Sequence, residues 1–158
     1  MSLLVTLANA ATLLQVAPAS APDRLLWGDE ISTIIEMQTV TTAPSGYNRI
    51  WVTQIYNTEV YVHPQTLTIA RTAKILIEAD CDQLRSRVLQ SNYFSGDGSP
   101  LARVMGQSSA WEYVHPGSMG GAILAAACGG TSEGMEIDRG ITAAEAAQVV
   151  LDHYRSGL

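Results

Sequence analysis

A chain of 158 residues with a formal net charge of -6 carries only nine Lys and Arg, and just 15% of its residues are charged. That length buries a sizeable core without staples, and the absence of any run of basic residues excludes sequence-specific nucleic-acid binding. A surface built mainly from Ser, Thr, Gln, Asn, Ala and Gly costs little to desolvate and suits contact with other subunits.

The opening, MSLLVTLANAATLLQVAPASAPDR, admits two readings. An apolar run from Leu3 to Val16 followed by small residues, with A-x-A patterns ending near Ala19 or Ala21, resembles a secretory signal, but no Lys or Arg precedes Arg24. As a mature helix, Thr6 is the N-cap, Leu7, Ala10, Ala11 and Leu14 form one apolar stripe, and Pro18 and Pro22 end it. The helix is the favoured reading, and the run is too broken and short to span a bilayer.

In residues 29–42, Ile31, Ile34 and Ile35 mark a helical stripe opened by Asp29 or Ser32 and giving way near Val40, although the β-branched residues toward its end favour extended chain. Pro44-Ser45-Gly46 is a turn. Trp51 to Tyr56 and Val60 to Val62, separated by Asn57-Thr58-Glu59, read as a hairpin closed by Pro64. A long helix follows in TLTIARTAKILIEADCDQLRSRVLQS, where Ile69, Ala73, Ile77, Cys81, Leu84 and Val88 step by four or three. Glu78, Asp80, Asp82, Arg85 and Arg87 then form its solvated face, with Asp82 and Arg85 paired at i, i+3.

Ser95 to Pro100 is a loop, and a short strand lies in WEYVHP. AILAAAC, between Gly120-Gly121 and Gly129-Gly130, is a buried strand or a short helix. Thr142 to Glu145 is a capping box, which starts a last helix whose stripe includes Ala146, Val149, Val150, His153 and Tyr154. That stripe docks on the chain's own core or on a neighbouring subunit.

These elements predict one α+β domain, residues 1–158, with several helices, a β-hairpin and a third short strand. Its parts are a helical region 1–42, a hairpin and long helix 47–92, and a glycine-rich region with the C-terminal helix 100–158. The two cysteines, Cys81 and Cys128, read as buried thiols of a reducing compartment, able to pair only if the chain is exported. Tyr-Val-His-Pro occurs twice, so His63 and His115, with His153, allow a zinc site, while the plainer reading makes both tetrapeptides strand ends. GGTSEG lacks the Lys-Ser/Thr of a phosphate loop, Gly96-Asp97-Gly98 lacks a third glycine, and no serine sits in a G-x-S-x-G elbow. No catalytic residue, cofactor or metal is assigned, and the expectation is a protein that is not an enzyme.

The segment Leu4-Val5-Thr6-Leu7-Ala8 with Ala10, Leu14 and Val16, followed by the paired isoleucines of Glu30 to Glu36, resembles the phage head-tail connector (adaptor) family over the first quarter of the chain. The resemblance implies a virion structural protein, assembled in the host cytoplasm as a homo-oligomeric ring. Its partners would be further copies of itself and the portal and tail components, with DNA passing non-specifically and no membrane. Leu7, Leu14, Val149, Val150 and Tyr154 are then the subunit-interface candidates. The rival is a secreted or periplasmic binding domain that takes a small ligand or a protein. A metal-dependent enzyme using His63 and His115 comes third.

Overall fold

The computed structural model describes residues 21–63, 68–105, 109–130 and 133–157. The opening helix or signal, with Leu7 and Leu14, lies outside them. Among the described residues nine strands form one antiparallel sheet: β1 (Arg24–Leu26), β2 (Ile31–Ile35), β3 (Thr41–Thr42), β4 (Asn48–His63), β5 (Thr68–Asp80), β6 (Arg85–Phe94), β7 (Pro100–Met105), β8 (Glu112–Tyr113) and β9 (Met135–Glu136). The order across the sheet is β7-β6-β5-β4-β2-β1-β9, with β3 also against β4 and β8 against β6. Two helices, α1 (Met119–Ala127) and α2 (Ala143–Ser156), complete the fold. Sheet dominates, which corrects the expectation of several helices with one hairpin.

The largest correction is the long helix, which is instead β5, a turn at 81–84 and β6. A step of four residues keeps a side chain on one face of a strand as well as of a helix, so Ile69, Ala73 and Ile77 fit both periods. What decides is the residues between: Ala73, Ile75 and Ala79 are buried at even spacings, two and then four residues apart. Leu84 closes the turn with a φ of 50°, the sole non-glycine residue with positive φ among those described.

Residues 29–42 are likewise not helical: they form β2, a single 3-10 turn (Met37–Thr39) and β3. β2 is an interior strand covered on both sides, so its apolar residues need not alternate, and their spacing imitates a helix. The expected hairpin is one strand, because Asn57-Thr58-Glu59 supplies no tight turn. β4 passes through it with a register irregularity against β5, while the Asn57 amide donates to the Glu30 carbonyl at 2.8 Å.

The two helices lie on opposite faces of the sheet. α1 packs Ile123, Leu124, Ala126 and Ala127 against Ile35, Ile50 and Val52. α2 packs Ala146, Ala147, Val150 and Leu151 against Ile34 and Ile55. AILAAAC is thus helical, begun by Ser118, whose hydroxyl accepts from the Gly121 amide at 3.1 Å. A Cβ on Gly121 would stand 2.6 Å from the His115 carbonyl oxygen, so this helix can follow its loop so closely only with glycine there.

Cys128, the C-cap of α1, is disulfide-bonded to Cys81 just beyond β5. This corrects the expectation of free thiols: the helix packing brings the two Cα atoms to 5.7 Å, although 47 residues separate them in sequence. α2 begins at the expected capping box, in which the Thr142 hydroxyl accepts from the Glu145 amide at 3.2 Å and the Glu145 carboxylate accepts from the Thr142 amide at 2.8 Å.

Candidate functional site

α2 covers only part of its face of the sheet. Beyond it, alternation along β4, β5 and β6 places Trp51, Leu76 and Gln90 in one cross-strand row, and Arg49, Glu78 and Arg87 in the next. Asp80 and Arg85 form the last row before the turn. Thr53, Lys74 and Asn92 lie on the side toward α2.

These rows are held by layered ion pairs. Arg49 donates to Glu78 Oε1 from Nε at 3.0 Å and Nη2 at 2.9 Å, while Arg87 donates to Oε2 from Nε at 2.9 Å and Nη2 at 2.6 Å. Arg85 reaches Asp80 at 2.8 Å and Lys74 reaches Glu36 at 3.0 Å. Thr53 donates to the other oxygen of Glu36 at 2.8 Å. The carboxylate side chains are 1% to 8% exposed and the cations above them 27% to 43%. The acids therefore lie beneath and the positive groups face solvent.

Burial alone would push the Glu78 carboxyl up, but the hydrogen bonds from Arg87 and Arg49 outweigh it and hold it below the ordinary carboxylate range. Asp80 is treated the same way: burial is offset by Arg85 and the Gln83 amide, and the carboxyl again ends low. Both stay ionised at neutral pH, which keeps the cations above them locked in place.

Aromatic rings stiffen the array. The guanidinium carbons of Arg87 and Arg85 stand 4.5 Å and 4.9 Å from the centroid of Trp111, whose ring also meets Tyr47 at 5.0 Å. Lys74 Nζ lies 5.7 Å from the Trp51 centroid. Toward α2 a cleft of about 240 Å³ opens, bordered by Lys74, Phe94, Ala144 and Gln148.

The residues chosen from the sequence are scattered. Val150 is buried against the sheet, and the Tyr154 hydroxyl binds Ser32 Oγ at 2.7 Å and donates to the Gly28 carbonyl, so both serve the docking of α2 on its own chain. Val149 is exposed. His63 ends β4, His115 lies before α1, and His153 stacks edge-on with Trp27 at 4.8 Å. Among the described residues no three His, Cys, Asp or Glu group to hold a metal, and no helix is long and apolar enough to cross a membrane.

Sequence reasoning missed the ion-pair array because it laid Lys74, Glu78, Asp80, Arg85 and Arg87 on one helix and left Glu36 and Arg49 in other elements. The signal was present: reading outward from residues 81–84, Asp80 and Glu78 mirror Arg85 and Arg87, the pattern of a hairpin with cross-strand ion pairs.

A disulfide-stapled antiparallel sheet with a polar, open face defines a domain of the kind made for oxidising surroundings. The family model of surface-adhesin protein E matches residues 28–129, about two thirds of the chain, and the chain belongs to that family. The match runs from before β2 to just past α1 and includes both cysteines and the ion-pair array, while α2 lies beyond it. It is a family of adhesins, not of enzymes. Among solved structures, protein E from non-typeable Haemophilus influenzae is similar at 14% identity, covering 88% of this chain and 92% of that chain with a TM-score of 0.45. No curated protein matches the chain.

Membership in this family overturns the head-tail connector reading, and with it the virion location and the portal, tail and DNA partners. That resemblance rested on apolar spacings in the first helix and in residues 30–36, and the second of these is a strand. It likewise overturns the metal-dependent enzyme.

Proposed function

We propose that this protein is exported to a bacterial cell surface and acts there as an adhesin, binding molecules presented by a host. The observation that carries the reading is the match of residues 28–129 to the surface-adhesin protein E family. The Cys81–Cys128 disulfide supports it, because such bonds persist in oxidising compartments and are rare in the cytosol. Export also favours the secretory reading of the opening stretch, with cleavage near Ala19 or Ala21.

Expression of the chain on a non-adherent bacterium tests this directly. The expected result is attachment to cultured host cells that excess purified protein competes away; attachment equal to that of the empty strain would overturn the proposal. Intact mass of the protein from its native source tests the export step, the expected first residue lying near Ser20 or Pro22.

A further inference from the structure

We infer that the open sheet face beyond α2 is a docking surface for a linear sulfated glycan, recognised by the exposed cations Arg49, Lys74, Arg85 and Arg87. The inference rests on the adhesin reading only for where such a glycan is met; the binding itself follows from charge and geometry.

The whole chain is acidic, yet four of its nine basic residues lie on this one face. Counting charges across the ion pairs misstates what a ligand meets. Glu36, Glu78 and Asp80 lie under the surface with at most 8% of their side chains exposed, and the groups that reach solvent are the three guanidinium groups and the ammonium. A charge outside this double layer is nearer to the cations than to the acids, so an anion is attracted at short range although the pairs nearly cancel at long range.

The cations are also pre-organised. Glu78 fixes two guanidinium groups through two bonds each, and Trp111 lies against Arg85 and Arg87, so little side-chain entropy is lost when a ligand arrives. Each guanidinium has five N–H donors, and Glu78 takes only two from Arg49 and two from Arg87, which leaves donors for sulfate oxygens. The backbones of Arg49 and Arg87 lie two strands apart, roughly 10 Å, but their guanidinium groups converge on the two oxygens of Glu78, while the backbone of Lys74 is four residues along β5 from Glu78, roughly 13 Å. A guanidinium pair on Glu78, with Arg85 to one side of it and the Lys74 ammonium further along the sheet, suits an extended chain with repeated anionic substituents. The Gln90 and Asn92 side chains, hydrogen-bonded to each other at 3.1 Å, and the half-buried Trp51 offer amide and ring surface to sugar hydroxyls and sugar faces between those charges.

The test uses the disulfide-bonded protein and a heparin oligosaccharide as the probe, with desulfated heparin and poly-L-glutamate as comparisons, at about 0.15 M salt. Removing Arg87 alone leaves one oxygen of the buried Glu78 carboxylate without its partner, although Arg49 still holds the other, so the variant is Glu78→Gln with Arg87→Gln, alongside Lys74→Gln, whose former partner Glu36 keeps Thr53. Arg139→Gln is the control away from this face. The expected result is binding to heparin, weakened several-fold in both face variants and unchanged in the control, with a salt dependence shallower by about one for each cation removed.

Absence of heparin binding, equal binding in the face variants, equal binding of the desulfated chain, or equal binding of poly-L-glutamate would each overturn the inference. Host-cell attachment that persists in the face variants would also overturn it while leaving the adhesin reading intact. Heparin binding without any cell attachment would do the reverse.

Discussion

Ile34 and Ile35 are consecutive in β2 and both are completely buried, Ile34 beneath α2 and Ile35 beneath α1. One strand thus supplies the centre of two separate apolar layers. Each truncation to alanine is expected to cost about 2–5 kcal/mol, with different consequences. Ile34→Ala should reduce hydrogen-exchange protection mainly in α2, and Ile35→Ala mainly in α1. An identical pattern of lost protection in the two variants would show that the layers do not act separately.

The Cys81–Cys128 bond closes a segment of 47 residues. Replacing both cysteines with serine should lower stability by up to about 4 kcal/mol, since the unfolded chain regains the entropy of that loop. The same loss should follow reduction of the natural protein. A denaturation midpoint indifferent to reductant would contradict this role.

The acid limb of stability should be carried by Glu78, Asp80 and Asp97. Ser95 and Ser99 hold the Asp97 carboxyl down at about 2, and the other two are held low by arginines. A carboxyl whose folded value lies below its unfolded one stabilises the fold above the unfolded value, about 4, and loses that contribution as pH falls through the folded value. Melting temperature should therefore decline steadily below about pH 4. In Asp97→Asn that decline should be smaller.

Asp23 carries the opposite sign. Burial first, then the Glu36 charge, raises its carboxyl above the usual range, and its Oδ1 is buried without a hydrogen bond. Its ionised form therefore opposes folding at neutral pH, and the penalty shrinks as pH falls through the raised value and is gone below the unfolded value, about 4. Asp23→Asn is expected to raise the melting temperature at pH 7 and to have a smaller effect in acid. A variant that is less stable at pH 7 would refute the assignment.

Thr142→Ala removes the cap of α2 and is expected to cost about 1 kcal/mol. The hydrogen bonds from the Thr142 backbone and side chain also keep the Glu145 carboxyl low. Loss of the hydroxyl should move Glu145 upward in an NMR titration, and an unmoved Glu145 would mean that the backbone bond alone sets its value.

What was legible in the sequence was local. The capping box of α2 needs only Thr142 and Glu145 three residues apart. The loop expected at 95–100 is found at 95–99, where Gly98 adopts a φ of 82° and Asp97 accepts from the Ser99 amide at 3.0 Å, and Pro100 already begins β7. Such features are closed by neighbours in the chain, so residue type and spacing suffice.

Only the tertiary structure decided between helix and strand in residues 29–42 and 68–91, because apolar steps of three and four also arise in strands covered on both faces or read at every fourth residue. It decided likewise that Cys81 meets Cys128, and that Arg49 on β4 and Arg87 on β6 share Glu78 on β5. Those partners are set by strand register, a long-range relation that no local spacing encodes.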